Sequence, residues 1–187
     1  NEKANNPADY YTKNQTKIKQ TLARLNTAQN ISLSYNNNGN TIHYDAPTSL
    51  KDLAKVLGNN PQATILAGGT DLNLEITQST RQFSHIINIS QVQELNAIKD
   101  EKSKIEIGSA VTYQDASSSL IKYWPELEGF LHRFASLPIK NWATIGGNIA
   151  NASPIGDMPP VLIALEAKLK LRKKSAIRSV KLEDFFI

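Results

Sequence analysis

The sequence predicts an α+β fold with two small lobes. Short apolar stretches bounded by turn residues dominate the first half, helical spacing of apolar residues follows Ala110, and a strand pair ends the chain. Runs of strands followed by runs of helices favour the α+β class over a regular alternation of the two. A chain of 187 residues is long enough to bury a substantial core.

The N-terminal region, residues 1–40, is polar and rich in asparagine. One short amphipathic helix is predicted over 17–25, because Ile18, Leu22 and Leu25 fall on one helical face. The remainder of this region is interpreted as linker.

The elements up to residue 108 mix one helix with short strands. Thr48 or Ser49 can cap a helix that runs to about Leu57. Short apolar stretches between turn residues then predict strands. These strands cover 63–67, 85–89 and 103–108, and a hairpin is expected between 95–99 and the last of them.

The second half is expected to be more helical. Helices are predicted over 113–120, 125–134 and 158–165, the last with prolines in its first turn. Residues 135–151 are expected to be rich in loops. The segments 167–171 and 177–182 are predicted to pair as strands.

The excess of positive charge is local. The chain has 21 Lys and Arg against 17 Asp and Glu, a net charge of +4. Seven of these basic residues and no acidic residue lie in 168–181, so the rest carries 14 against 17, or −3. Leu169 and Leu171 alternate with basic residues there, which favours a half-buried strand. A nucleic-acid-binding module is the alternative from another class of function.

The composition excludes several kinds of chemistry. The absence of cysteine excludes disulfides, thiolate nucleophiles and iron–sulfur clusters bound by this chain. The three histidines lack metal-ligand spacing, so no metal site is predicted. No catalytic motif is present, and we expect a bound cofactor to carry any reaction. No apolar run reaches the roughly 20 residues of a membrane-spanning helix, so we expect a cytoplasmic protein without a membrane partner.

Two glycine pairs carry the strongest functional signal. In TILAGGTDLNL (64–74) a strand leads into two glycines, whose backbone can approach a ligand closely and whose successive amides can bind phosphate. A tight turn after a strand explains the same residues. TIGGNIANASPIGD (144–157) is interpreted as a long, partly apolar loop, which is usually functional. Together the two segments favour a nucleotide-like ligand.

At these segments the sequence resembles the FAD-binding domains of the molybdenum hydroxylases. It is most similar to the small, FAD- and iron–sulfur-binding subunits of bacterial xanthine dehydrogenases. The resemblance covers 41–187 and is carried by ILAGGTDLNLEIT (65–77) and by LPIKNWATIGGNIANASPIGDMPPVLIALEAKLKL (137–171).

The resemblance implies a two-lobed FAD-binding domain of the molybdopterin dehydrogenase and vanillyl-alcohol-oxidase-like type. Residues 41–110 would form the first lobe and 111–187 the second. Residues 1–40 would be the linker that follows an iron–sulfur domain. This chain would lack both that iron–sulfur domain and the C-terminal lobe of the family.

The resemblance also implies FAD as the cofactor. In the family the first glycine turn holds the FAD pyrophosphate through backbone amides, and the second segment and one aromatic residue complete the site. The implied contacts are Ile65, Leu66, Ala67, Gly68, Gly69, Thr70, Asp71, Leu72, Phe134, Thr144, Ile145, Gly146, Gly147, Asn148 and Asp157, with Asn151 and Ser153 as further candidates.

The implied activity is that of an oxidoreductase in purine catabolism. A molybdenum cofactor on a separate large subunit would oxidise hypoxanthine or xanthine. The [2Fe–2S] domain of the same subunit would pass the electrons to FAD, with NAD as the acceptor. This chain alone would be inactive. A carbon monoxide dehydrogenase-type flavoprotein is the alternative, although Asn148 and the SPIGD sequence favour the xanthine branch.

Overall fold

The structure is a computed structural model that describes residues 10–25, 29–79, 81–101 and 103–186. It is a mixed helix and strand fold, so the predicted α+β class is confirmed. The strands are β1 (Ile31–Asn37), β2 (Asn40–Ala46), β3 (Thr64–Leu66), β4 (His85–Asn88), β5 (Ile98–Glu101), β6 (Lys104–Ile107), β7 (Lys168–Lys173) and β8 (Ala176–Lys181). The helices are α1 (Tyr10–Leu25), α2 (Leu50–Asn59), α3 (Leu72–Ser79), α4 (Tyr113–Tyr123), α5 (Leu127–Arg133), α6 (Leu137–Trp142), α7 (Ile145–Asn151) and α8 (Met158–Ala164).

A four-stranded sheet forms the N-terminal half, in the order β1-β2-β4-β3. β1 is antiparallel to β2, whereas β4 runs parallel to both β2 and β3. Leu66 at the end of β3 is paired in register with Asn88 at the end of β4. The chain therefore leaves β3 at the carboxyl edge of a parallel strand pair, which is where open sheets of this kind bind ligands.

Strand β1 corrects the prediction of a linker, because it adds residues 31–37 to the sheet. The turn to β2 contains Asn38 and Gly39, which have φ angles of 51° and 87°. An Asn-Gly pair with positive φ is the preferred two-residue hairpin turn. The predicted N-terminal helix exists but begins at Tyr10 rather than residue 17. The predicted linker at residues 1–9 and 26–28 lies outside the described residues.

Several other predicted elements are confirmed. Helix α2 is capped by Ser49, whose hydroxyl accepts a hydrogen bond from the amide of Asp52 at 3.1 Å. β5 and β6 form the expected hairpin, and β7 pairs with β8. α8 has its predicted prolines in the first turn, and Met158 and Pro159 are buried there.

Two predicted loop segments are helical instead. The long loop predicted over 144–157 contains α7, and residues 135–151, predicted to be rich in loops, also contain α6, while the first glycine segment leads into α3. Helices α6 and α7 begin at short capping signals, because the hydroxyl of Ser136 accepts from the amide of Ile139 and the hydroxyl of Thr144 accepts from that of Gly147. None of these helices exceeds 8 residues, so their apolar periodicity is weak.

Two hydrophobic clusters form the core. One is built around Leu53 and Ile87, between α2 and the sheet. The other is built around Tyr113, Leu120 and Met158, in the helical half. Partly buried residues from the β5–β6 hairpin pack against the second cluster, although the hairpin precedes residue 110. The lobe boundary at 110 therefore stays a prediction.

The described helices include none that is both long enough and apolar enough to cross a membrane.

Candidate functional site

The first glycine turn connects β3 to α3 at the carboxyl edge of the sheet. Gly69 has a φ of +73°, a backbone conformation that residues with a side chain rarely adopt. The amide of Asn73 donates to the carbonyl of Gly69 at 3.0 Å, and that of Leu74 donates to Asp71 at 2.8 Å. Within the described part of the chain, the five successive backbone amides of residues 68–72 have no hydrogen-bond acceptor. They are therefore available to an anionic ligand.

Gly68 lies in direct contact with the backbone at the end of α6. A Cβ atom at position 68 would overlap the carbonyl oxygen of Trp142, 2.6 Å from the carbonyl carbon and 3.3 Å from the Cα of Ala143. Position 68 therefore requires glycine. The contact also shows that the first glycine turn lies beside the beginning of the second predicted segment, as the resemblance requires.

The second glycine pair has a different structural role. Gly146 lies against Ser109, whose carbonyl oxygen and Cα would be 2.6 and 2.8 Å from an added Cβ. The amide of Gly146 donates to that carbonyl at 3.0 Å, and the amide of Gly147 donates to the hydroxyl of Thr144 at 3.0 Å. The amide of Ile145 donates to the carbonyl of Val111 at 3.0 Å. These three amides are occupied, so a contact with FAD would have to use other atoms.

Asn148 and Phe134 meet through Tyr113. The buried hydroxyl of Tyr113 donates to Oδ1 of Asn148 at 3.0 Å, and its ring lies edge-on to that of Phe134 with centroids 4.8 Å apart. Burial raises the pKa of Tyr113 above its ordinary value, so the phenol stays protonated and acts as a donor. Thus Phe134, Tyr113 and Asn148 form one packed unit, with Phe134 half-buried.

The acidic candidates are exposed. Asp71 lies at the first glycine turn, and Asp157 immediately precedes α8. Among the described residues neither carboxylate has a hydrogen-bond or ion-pair partner. Asn151 is exposed at the end of α7, and Ser153 lines a shallow cleft of about 270 Å³. No contact places Asp157 beside the glycine turn, so its FAD contact stays a prediction.

Two of the three histidines, His43 and His85, lie close together on the sheet with ring centroids 5.4 Å apart, whereas His132 lies in α5. Nε2 of His85 lies 2.6 Å from a carboxylate oxygen of Asp45, and Nδ1 of His43 lies 2.9 Å from the hydroxyl of Ser34. These residues surround or adjoin a polar cavity of about 450 Å³ between the sheet and α2. In the described ranges no three His, Asp or Glu side chains are arranged to hold a metal ion.

Sequence reasoning missed three residues that shape the site. The backbone of Trp142 leaves no space for a side chain at Gly68, and Ser109 leaves none at Gly146. Tyr113 holds Asn148 through a hydrogen bond. A sequence signal was available for Gly146, which lies in the first turn of a capped helix, where its low helix propensity indicates close packing instead. The partner of each glycine is distant in sequence, so it could not be named.

Comparisons with known proteins identify the family to which the chain is similar. A family model described as the FAD binding domain in molybdopterin dehydrogenase matches residues 40–187. The chain is 32% identical to xanthine dehydrogenase 1 of Arabidopsis thaliana over 167 residues, which are 83% of this chain and 12% of that protein. It is 32% identical to the xanthine dehydrogenase FAD-binding subunit of Escherichia coli O157:H7, with 76% of this chain and 50% of that protein covered.

A solved structure with a similar fold is carbon monoxide dehydrogenase from Hydrogenophaga pseudoflava, in a form that lacks the Mo-pyranopterin moiety of its cofactor. The TM-score is 0.71 and the identity 33%, over 77% of this chain and 51% of that chain. The chain thus spans about half the length of the two microbial relatives and a much smaller part of the plant enzyme.

Proposed function

We infer the function of this chain from its family: it belongs to the FAD-binding domains of molybdopterin dehydrogenases, with FAD as cofactor. Its relatives include oxidoreductases of both the xanthine dehydrogenase and the carbon monoxide dehydrogenase type. We propose that it is the FAD-binding part of a xanthine dehydrogenase. The observation that carries the FAD assignment is the run of five unpartnered amides at residues 68–72, whose number and position fit a pyrophosphate.

In this proposal each part of the glycine turn has a role. The amides of residues 68–72 hold the pyrophosphate, while the hydroxyl of Thr70 adds a donor. The exposed carboxylate of Asp71 would repel phosphate, so we assign it to a hydroxyl group of the cofactor. Ile65, Leu66 and Ala67 form the end of β3 and its exit, which hold the turn at the sheet edge. Bound FAD would supply the exchange between two-electron and one-electron chemistry.

The other proposed contacts lie in the second segment. We include Thr144, Ile145, Gly146 and Gly147 among the contacts, through atoms other than the amides of residues 145–147, which already have acceptors. Asn148 presents its amide nitrogen, because its oxygen is held by Tyr113. Phe134 and Asp157 complete the proposed set.

The proposed partners follow from the family and from the relatives' names. They are a large subunit with the molybdenum cofactor, a [2Fe–2S] domain that feeds electrons to FAD, and NAD as the acceptor. Hypoxanthine and xanthine are the proposed substrates, and the cytoplasm is the proposed location. The assembled enzyme containing this chain should reduce NAD when given hypoxanthine. Oxidation of carbon monoxide without purine-driven NAD reduction would instead support the alternative that the 33% identical structure suggests.

The basic hairpin, formed by β7 and β8 over 168–181, is assigned a structural role in this proposal. Lys170 is paired with Glu106 at 2.7 Å and Lys181 with Glu183 at 3.1 Å, while Leu169 packs against the second hydrophobic cluster. Binding of generic duplex DNA that falls steeply with added salt would favour the nucleic-acid alternative.

Direct titration tests the cofactor assignment at one backbone position. We expect Gly69→Ala to weaken FAD binding about tenfold. Positive φ costs a side-chain residue about 1–2 kcal/mol, and the turn relieves this strain by rotating its backbone, which moves the neighbouring amides out of position for the ligand. The added Cβ would also lie 3.1 Å from Cδ1 of Leu66. The measurement is flavin fluorescence anisotropy on titration with the protein.

Gly39→Ala provides a matched control for Gly69→Ala. Gly39 also has a positive φ, +87°, but it lies in the β1–β2 turn with nothing within 4 Å of an added Cβ. We expect a similar loss of stability in urea and unchanged FAD affinity. Equal FAD affinities for the two variants would contradict the assigned role of the glycine turn.

A further inference from the structure

Trp142 has its backbone next to the glycine turn and carries a large exposed side chain. It is 67% exposed at the end of α6, which also carries Leu137, 59% exposed, and Ile139, 42% exposed. Grouped apolar surface marks a binding site more often than single exposed apolar residues do. The backbone of Trp142 lies against Gly68, at the start of the run of free amides.

The backbone around Trp142 is held firmly in place. The amide of Ala143 donates to Ile139 at 2.7 Å, and the carbonyl of Ala143 accepts from Tyr113 at 3.0 Å. Thr112 and Thr144 form a β-bridge immediately afterwards. Because these bonds fix the backbone on both sides, only the side-chain torsions of Trp142 remain to be ordered when a ligand binds.

We propose that Trp142 packs its indole ring against a ring of FAD bound at the glycine turn. This inference rests on the proposed function of residues 68–72. FAD carries a planar ring system on each side of its pyrophosphate, so a pyrophosphate on these amides brings aromatic surface to the neighbouring backbone. Stacking of aromatic rings adds affinity beyond the area that it buries. Trp142 is therefore a cofactor-positioning residue.

The chain has a built-in control for this proposal. It contains two tryptophans, and the other, Trp124, is half-buried and packs against the second hydrophobic cluster. In ¹⁵N-labelled protein the indole N–H signals of the two residues are assigned with Trp142→Phe and Trp124→Phe. We expect addition of FAD to shift the Trp142 signal strongly and to leave the Trp124 signal almost unchanged.

Two partial ligands identify which ring is involved. ADP carries only the adenine ring and FMN only the isoalloxazine ring. We expect one of them, together with FAD, to shift the Trp142 signal. Either result supports the proposal and names the stacked ring.

Affinity measurements provide the second readout. We expect Trp142→Ala to raise the Kd for FAD about tenfold and Trp142→Phe to restore most of the affinity, since phenylalanine keeps an aromatic face. Trp124→Phe should leave the Kd unchanged. Urea unfolding of each variant verifies that any change in its Kd for FAD does not come from a loss of folding stability.

The failures of the two proposals are distinguishable. If FAD shifts the backbone signals of residues 68–72 but not the Trp142 indole, and Trp142→Ala binds normally, the inference about Trp142 is overturned and the site stands. If the unaltered chain binds no FAD and no signal moves, the proposed function of the turn is overturned as well.

Discussion

Gly68→Ala is expected to destabilise the fold and to weaken FAD binding together. The added Cβ would overlap the carbonyl oxygen of Trp142, and the obstacle is backbone rather than a flexible side chain. Either β3 or α6 has to move, at a cost of about 3 kcal/mol in the free energy of unfolding. Since the free amides begin at this residue, a similar energy lost from FAD binding corresponds to roughly a hundredfold in Kd. Urea denaturation and flavin anisotropy measure the two effects.

The matched control is Gly58→Ala. Gly58 lies within α2, with nothing within 4 Å of an added Cβ. We expect this variant to be stabilised by about 0.5–1 kcal/mol, because alanine has the higher helix propensity, and to bind FAD normally. A Gly68→Ala protein with unchanged stability and affinity would show that the turn does not press against α6.

Tyr113→Ala is expected to cause the other large effect. Tyr113 is fully buried and lies at the centre of the second cluster, where it touches Phe134 and holds Asn148. Removing the ring leaves a cavity and should lower the free energy of unfolding by about 4 kcal/mol. Tyr113→Phe removes only the hydrogen bond to Asn148, which should cost about 1 kcal/mol. Urea denaturation of both variants measures these differences.

The hydroxyl of Tyr113 also predicts a pH dependence. Burial raises the pKa of the folded tyrosine above that of the unfolded one, so the stabilisation is complete below the ordinary tyrosine pKa of about 10. It is lost as the pH rises above that value, because only the unfolded tyrosine ionises. We expect Tyr113→Phe to lose less stability than the unaltered protein above pH ~10. Exposed Tyr35→Phe is the control and should follow the unaltered protein.

Many of the strands and longer helices could be predicted from local sequence, although β1 and β2 were not predicted and α1 was predicted only over 17–25. Ser49 with Asp52 indicates the start of α2, and the alternation at Leu169 and Leu171 indicates β7. Both signals depend on residues a few positions apart, so tertiary contacts are not needed to read them. The position of the first glycine turn after a short apolar strand was predictable for the same reason.

The nature of the second glycine segment could not be predicted in this way. Gly146 and Gly147 have low helix propensity, yet they begin α7 because Thr144 caps it and Ser109 leaves no room for a side chain. That constraint comes from a residue far away along the chain. Likewise, only the fold shows that Trp142 lies against Gly68. Strand β1 was missed although Ile31, Leu33 and Tyr35 alternate with polar residues, which is a strand pattern, and these apolar side chains remain exposed.

The pairing of β1 with β2 has a practical consequence for where a shortened protein should begin. The family match starts at residue 40, after β1, whereas all seven residues of β1 are paired in register with β2. A polypeptide that started at residue 40 would leave the outer edge of β2 without its partner. Bare strand edges pair with one another, so such a protein should self-associate. Beginning before Ile31 retains the native partner and should keep the protein monodisperse on a sizing column.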